Sequence, residues 1–243
     1  MVDKMKPHQV IWTEENSRFF WDYYSKNLEM REAYFGGQTG KGIIAEVKKR
    51  LSIEGRVLDY GCGAGMFLEH LLNGGIPSEG LDFSLDSVAE VEKKFKTQPL
   101  FRGAYHVTTL PMSIPDATYQ VVFCLETLEH LIGDQLSATI QEIHRLVQPG
   151  GYVVITVPND EHLDPRKVIC PDCGGIFHPV QHVRSFNNEQ LSELMSGYGF
   201  QTVVCKPEFF SNENRFWRAL RAVIVEVIKK KPLPNLFYIG KKK

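Results

Sequence analysis

From residue 56 onward two hydrophobic patterns alternate along the chain. Short apolar runs at 56–60, 78–82, 101–107, 119–125 and 152–157 read as strands buried on both faces. Stripes of helical spacing lie between them. One covers 64–73 and closes at Gly74-Gly75, and another covers 85–95. A further stripe follows Asp134 and carries Leu136, Ile140, Ile143 and Val147 until Pro149-Gly150-Gly151 ends it. Strands and helices in this succession predict a parallel sheet covered on both faces.

Other segments break the alternation. The first fifty residues are rich in aromatics, among them Trp12, Trp21, Tyr23, Tyr34 and Phe35, and end in an amphipathic helix at 43–51. Residues 158–184 hold prolines, three histidines and a cysteine pair without any period, which reads as an inserted loop of functional or metal-braced kind. Asn187 and Gln190 suit a capping box for a helix reaching Tyr198, before a strand at 201–205. An amphipathic helix at 215–230 and a strand at 235–239 finish the pattern. The expected organisation is a helical lid at 1–50 and a main domain at 51–243, which contains the 158–184 insertion and an amphipathic segment at 212–231.

Composition narrows the partners. A net charge of −1 and a pI near 6.7 argue against a general polyanion binder, so nucleic acid is not expected. No run approaches the ~18 apolar residues of a spanning helix, and five scattered cysteines do not make a disulfide framework. A cytoplasmic chain with reduced thiols is the expectation. Charge is uneven, however: residues 215–243 hold nine Lys or Arg against Glu226 alone.

The turn after the first strand reads Asp59-Tyr60-Gly61-Cys62-Gly63-Ala64-Gly65, and Asp82 ends the next strand 23 residues after Asp59. In an open α/β sheet that turn lies where a ligand binds, and glycines let the backbone approach it. A carboxylate at Asp82 can accept two bonds from a ribose diol. Met66 stands where a dinucleotide turn needs a third small residue, and Asp59 would repel a pyrophosphate while suiting a ligand amine. Adenosylmethionine carries an amine, a ribose and a sulfonium.

Val57 to Gly65, then Gly80-Leu81-Asp82-Phe83, then Val121 to His130 with its Glu126-Thr127-Leu128-Glu129-His130, then Pro149-Gly150-Gly151, resemble the successive motifs of class I S-adenosylmethionine-dependent methyltransferases. The third motif is most similar to quinone-biosynthesis O-methyltransferases. The resemblance covers about residues 40–205. It implies a doubly wound, mostly parallel seven-stranded sheet with an antiparallel last strand. It also implies a cofactor site, with Asp59 and Cys62 among its residues, in which Gly61 and Gly63 line the methionine part, Asp82 holds the ribose, Phe83 flanks adenine and Leu125 closes the sulfonium side. Relatives usually carry an acid near adenine N6, where this chain offers His106 or Val107, and an Asp where it has Gln120.

Methyl transfer is an in-line displacement, so alignment and water exclusion are the main tasks. An oxygen acceptor of high pKa still needs a base, and His130 stands on the rim where the acceptor should be; packing against the next helix is its bland alternative. Glu126 and Glu129 read as helix-start acids or as contacts. Trp21, Tyr23, Tyr34 and Phe35 are expected in a lid, or buried against the sheet. Cys170-Pro171-Asp172-Cys173 followed by His178 and His182 would complete one tetrahedral, structural zinc, with His162 able to replace a histidine. Alternatively His182 has a local role at the sheet edge. The basic helix near 215–231 reads as a peripheral membrane contact or a pocket wall. The function expected is methylation of a small-molecule acceptor, with O-methylation first. N- or C-methylation of a sugar or other metabolite, and a non-catalytic binding module, are the alternatives.

Overall fold

The computed structural model describes residues 6–27, 29, 34–228 and 233–243. Strand β1 (His8–Gln9) leads to helix α1 (Glu14–Lys26). Thr13 starts α1 by exchanging side-chain and backbone hydrogen bonds with Asn16, which satisfies N–H groups that have no partner within the helix. Helix α2 (Phe35–Val47) begins well before the expected residue 43. Its glycines are poor helix formers, yet close packing needs them: a Cβ on Gly36 would lie 2.8 Å from the Phe67 Cβ, and one on Gly40 2.3 Å from the His70 ring.

The alternating region follows as β2 (Val57–Tyr60), α3 (Met66–Asn73), β3 (Ser78–Asp82), α4 (Leu85–Phe95), β4 (Phe101–His106), β5 (Tyr119–Leu125), α5 (Gln135–Leu146) and β6 (Val147–Pro158). The insertion contributes β7 (Val168–Ile169) and β8 (Gly175–Phe177). Then come α6 (Asn188–Gly197), β9 (Phe200–Glu208), α7 (Arg215–Val223), which continues as a π-turn over Ile224–Ile228, and β10 (Asn235–Lys242). Asn187 and Gln190 form the expected capping box of α6.

Seven strands form one sheet in the order β4-β3-β2-β5-β6-β10-β9. Pairs from β4 to β6 are parallel, and β10 runs antiparallel to both its neighbours. Chain order reverses between β2 and β5, so the loops beyond their carboxyl ends open the crevice where such sheets bind ligands. One face is sealed by α5 and α6 through Ile140, Ile143, Leu191 and Met195, the other by α2, α3 and α4 through Ile43, Val47, Leu71 and Val91. Contrary to the expectation from sequence, Pro149-Gly150-Gly151 does not end a helix. The helix stops at Leu146, and the triplet bulges within β6: Tyr119 pairs with Val147, but Val121 already pairs with Tyr152.

A second sheet, absent from the sequence expectation, joins β1 in parallel to β8 and β8 in antiparallel to β7. It ties the amino-terminal segment to the insertion. At the other end of the chain, α7 is held by Arg218 on the Gly42 carbonyl and leaves Phe216, Trp217, Leu220, Val223 and Val227 exposed. Lys229, Lys230 and Lys231, which share the basic character of that segment, lie outside the described residues. Among the described residues no helix is long and apolar enough to cross a membrane.

Candidate cofactor and acceptor site

The turn between β2 and α3 runs through left-handed backbone at Gly61 (φ 81°), Gly63 (φ 49°) and Gly65 (φ 74°), conformations that side chains disfavour. Asp82 organises it. The N–H of Gly63 donates to Asp82 Oδ2 at 2.8 Å and that of Ser84 to Oδ1 at 2.9 Å, which leaves each oxygen a further lone pair toward the crevice. Cys62 contributes backbone only. Its sulfur turns under the sheet, 2.9 Å from where a Cβ on Gly80 would stand.

Asp59 is buried, and its Oδ2 has no hydrogen-bond partner. Burial, with the nearby Asp82 adding, pushes its carboxyl up to about 8. Burial also raises Asp82. Two acids so placed gain from a cationic ligand, and a ligand with an ammonium group and a vicinal diol meets both needs. The residues therefore fit adenosylmethionine. Phe83 stands 40% exposed beside them, an apolar ring free to receive a base. Val107 donates its N–H to Asp82 O, and His106 Nε2 lies 3.0 Å from Phe83 O, so both positions lie beside the Asp82-Phe83 backbone. Leu125 ends β5 at the sheet's centre.

The aromatics expected in a lid divide. Tyr34 reaches the turn, its ring 3.4 Å from a Cβ position on Gly63, and Trp21 packs on His130 at 4.7 Å between ring centroids. Tyr23 is exposed, and Phe35 faces Phe210. Helix α1 is fastened to the insertion: the Trp21 indole N–H donates to Gln181, Tyr24 to Pro179 O at 2.9 Å, and Gln181 to Ser17 Oγ at 3.1 Å.

Beyond β5 the chain gathers acids and histidines. Glu126 adopts left-handed backbone (φ 46°), a strain of the kind held at functional sites, and its Oε1 is closed off from solvent without a partner. Burial, with Glu161 adding, pushes Glu126 up to about 7. Glu129 is 1% exposed with neither oxygen bonded, and burial followed by Glu126 raises it well above the carboxylate range. His130 is driven the other way, down to about 3, by burial and then by His182.

Tautomers decide which nitrogens are available. His130 Nδ1 faces the Gln181 carbonyl at 3.4 Å, and His182 Nδ1 bonds the Glu161 carboxylate. A carbonyl or a carboxylate only accepts, so both rings carry a proton on Nδ1, and burial keeps His130 neutral with its Nε2 lone pair. Burial raises Glu161, but bonds from His182 and Arg166 outweigh it and hold the carboxyl at about 2. His178 Nδ1 instead accepts the His182 N–H at 3.2 Å, so its proton sits on Nε2, 3.6 Å from Glu161. Donor atoms of Glu129, His130 and His182 lie within 4.8 Å of one another, as do those of Glu161, His178 and His182. In the first set the neutral His130 ring meets two Glu129 oxygens without a hydrogen-bond partner. The second is a hydrogen-bonded support that orients His182.

A methyltransferase-domain family model matches residues 35–205, more than half the chain and spanning both the glycine turn and this cluster. The chain belongs to the S-adenosylmethionine-dependent methyltransferases. Its cofactor is S-adenosylmethionine. The chain is 30% identical over 145 residues to a probable S-adenosylmethionine-dependent methyltransferase of Mycolicibacterium smegmatis, covering 60% of this chain and 51% of that protein. It is 36% identical over 106 residues to a ubiquinone biosynthesis O-methyltransferase of Vibrio cholerae, covering 43% of this chain and 42% of that protein. The chain thus spans about half the length of the curated relatives it matches. In fold it is similar to the Burkholderia thailandensis 1,6-didemethyltoxoflavin-N1-methyltransferase, a structure with its substrate and S-adenosylhomocysteine bound (TM-score 0.64, 16% identity, 100% and 98% of the two chains covered).

In this methyltransferase the zinc set expected from sequence does not assemble. His178 and His182 belong to the acid and histidine cluster, and among the described residues no cysteine shares a set of mutually close donors with them. The reason is β8, which carries the chain away from Cys170 and Cys173 before His178 is reached. Sequence reasoning also missed Glu161, which lies 21 positions before His182 and meets it only because the insertion folds back. His106 and Val107, both expected beside the adenine, stand next to each other beyond Asp82 and Phe83.

Proposed function

We propose that the chain transfers the methyl group of S-adenosylmethionine to a hydroxyl oxygen of a small-molecule acceptor bound against Glu129, His130 and His182. The observation that carries this reading is the convergence, at the carboxyl end of β5, of the His130 and His182 rings with two unpartnered Glu129 oxygens. Such a set holds an O–H donor and disfavours an apolar surface. Asp59 takes the cofactor's amine, the close-approaching backbone of Gly61, Cys62 and Gly63 lines its methionine part, Asp82 takes its ribose, and Phe83 with Val107 its base. Leu125 screens the sulfonium from water.

As the acceptor oxygen attacks, the methyl–sulfur electron pair returns to sulfur and the hydroxyl proton must leave. His130, neutral and held at about 3, is too weak a base to keep that proton, whereas Glu126 at about 7 matches the working pH. His130 therefore positions the hydroxyl, and Glu126 takes the proton. Glu129, His130 and His182 equally fit a divalent cation, which when bound would lower the pKa of the acceptor hydroxyl.

The test is incubation of the purified chain with adenosylmethionine and a panel of hydroxylated aromatics and sugars, read by adenosylhomocysteine release and product mass spectrometry. A methyl on oxygen is expected, and a methyl on nitrogen or carbon overturns the oxygen assignment. Failure of adenosylhomocysteine to bind in calorimetry removes the enzyme reading altogether.

The apolar stripe on α7 supports contact with a membrane surface and an acceptor carried in lipid. Flotation with anionic liposomes is expected to retain the intact chain and to lose a variant without residues 215–231. Absence of both from the liposome fraction removes the idea.

A further inference from the structure

The insertion takes up three successive carbonyls of the turn beyond β5. Val183 N–H donates to Glu129 O at 2.9 Å, Gln181 Nε2 to His130 O at 3.2 Å, and the Arg184 guanidinium to Leu131 O. These bonds fix the backbone of the turn. The His130 ring is directed separately, by the bond from its Nδ1 to the Gln181 carbonyl at 3.4 Å, and a carbonyl, which only accepts, selects the tautomer with the proton on Nδ1.

That carbonyl stands where it does because Gln181 adopts left-handed backbone (φ 56°), a conformation that residues other than glycine rarely take. Its side chain keeps it there. The amide is 1% exposed and bonded at both ends: Oε1 accepts the Trp21 indole N–H, and Nε2 donates to Ser17 Oγ at 3.1 Å as well as to His130 O. An indole only donates and a carbonyl only accepts, so the position calls for an amide with its oxygen toward Trp21. A carboxylate would set acceptor against acceptor at His130 O. An apolar side chain would leave both the indole N–H and the carbonyl without this partner.

We propose that Gln181 is a positioning residue of the acceptor side, which aims the His130 ring through its own carbonyl while helix α1 is docked on its amide. Two of the three partners of that amide, Trp21 and Ser17, lie on α1. With α1 withdrawn the amide loses both, the bond to His130 O by itself does not offset the left-handed backbone, and the carbonyl turns away from the ring. Docking of the helix and alignment of the acceptor group are therefore one event. The next residue of α1, Asp22, accepts a hydrogen bond from Ser84 Oγ at 3.0 Å, and the Ser84 N–H is the one that donates to Asp82. One helix thus rests on the support of the cofactor acid and on that of the acceptor histidine. This role rests on the acceptor reading, in which His130 holds the hydroxyl, whereas the aiming of its ring is independent of it.

The test uses the full chain carrying histidine labelled with the heavy nitrogen isotope, in which long-range proton–nitrogen correlations tell an Nδ1–H ring from an Nε2–H ring. The His130 signals are those lost in His130→Gln. The unmodified chain is expected to show His130 as the Nδ1–H tautomer. Gln181→Met, of similar length but without the amide, should give a mixture of the two tautomers. Trp21→Phe, which keeps an aromatic ring on α1 and removes the indole N–H, should move the ratio part of the way. With a methylated acceptor from the panel, kcat of Gln181→Met should fall about 10-fold or more, while the dissociation constant of adenosylhomocysteine stays within about threefold of the unmodified chain. An unchanged Nδ1–H ring in Gln181→Met, or kcat within about twofold, overturns the positioning role. A Trp21→Phe ring identical to the unmodified one overturns the link to α1, and it decides both points should Gln181→Met fail to fold. If the tautomers shift as stated but no acceptor is methylated, the acceptor reading fails and the aiming of the ring stands.

Discussion

Asp82→Asn is expected to weaken adenosylhomocysteine binding about 100-fold or more. Both carboxylate oxygens already accept a backbone N–H, from Gly63 and from Ser84. An amide offers one acceptor and one NH2, so whichever way it turns, a donor faces a donor. The side chain then either leaves its place or pushes the glycine turn out of line, and the ribose loses its partner with it. Bonds to a charged acceptor contribute about 1.5–3 kcal/mol each, and each 1.4 kcal/mol is about tenfold in affinity. Two ribose hydroxyls therefore account for the expected loss. Isothermal calorimetry decides the point: a dissociation constant within about threefold of the unmodified chain would show that Asp82 does not hold the ribose.

The second large effect has opposite signs for stability and activity. Glu126→Gln should cut kcat about 100-fold or more while it raises Tm at pH 8. The reason is the raised carboxyl of Glu126, from 4.5 to about 7. A group whose pKa rises on folding contributes its full stability below the unfolded value and loses it as pH climbs through the folded one. At pH 8 the ionised carboxyl, with Oε1 shut away from water, therefore works against the fold. Glutamine keeps the shape without the charge. An unpaired buried polar group costs about 1–3 kcal/mol, equivalent to a few degrees of Tm in a chain of this size.

The Tm advantage should shrink as pH falls from 8 toward 5, because the unmodified carboxyl then takes up its proton and resembles the amide. Affinity for adenosylmethionine should hold, since the glycine turn is untouched. A scan of Tm against pH for both chains, beside single-turnover methyl transfer, tests all of this. Equal Tm values at pH 8, or methyl transfer at the unmodified rate, would remove Glu126 from the proton's path.

The glycine turn and the two acids beside it were legible because they are local. Asp59, Gly61, Gly63 and Asp82 fall within two strand-to-turn junctions, where positive φ and a strand-ending acid leave their mark in residue type and spacing. The period of the core helices and strands was equally plain, since burial on both faces forces continuous apolar runs. Helix α2 was placed late because glycines that permit contact with Phe67 and His70 look locally like helix breakers.

The acid and histidine cluster depended on distance in sequence. Glu126, Glu129 and His130 come from one junction, but Glu161 and His182 reach them only through the path of the insertion, which β7, β8 and the Asn159–Phe186 bridge direct. The same path parted Cys170 and Cys173 from His178. By itself the chain determined its fold class and cofactor, because periodicity and turn chemistry act between near neighbours. Which histidines meet which acids was decided by the tertiary structure alone, because strand pairing between remote segments sets those distances.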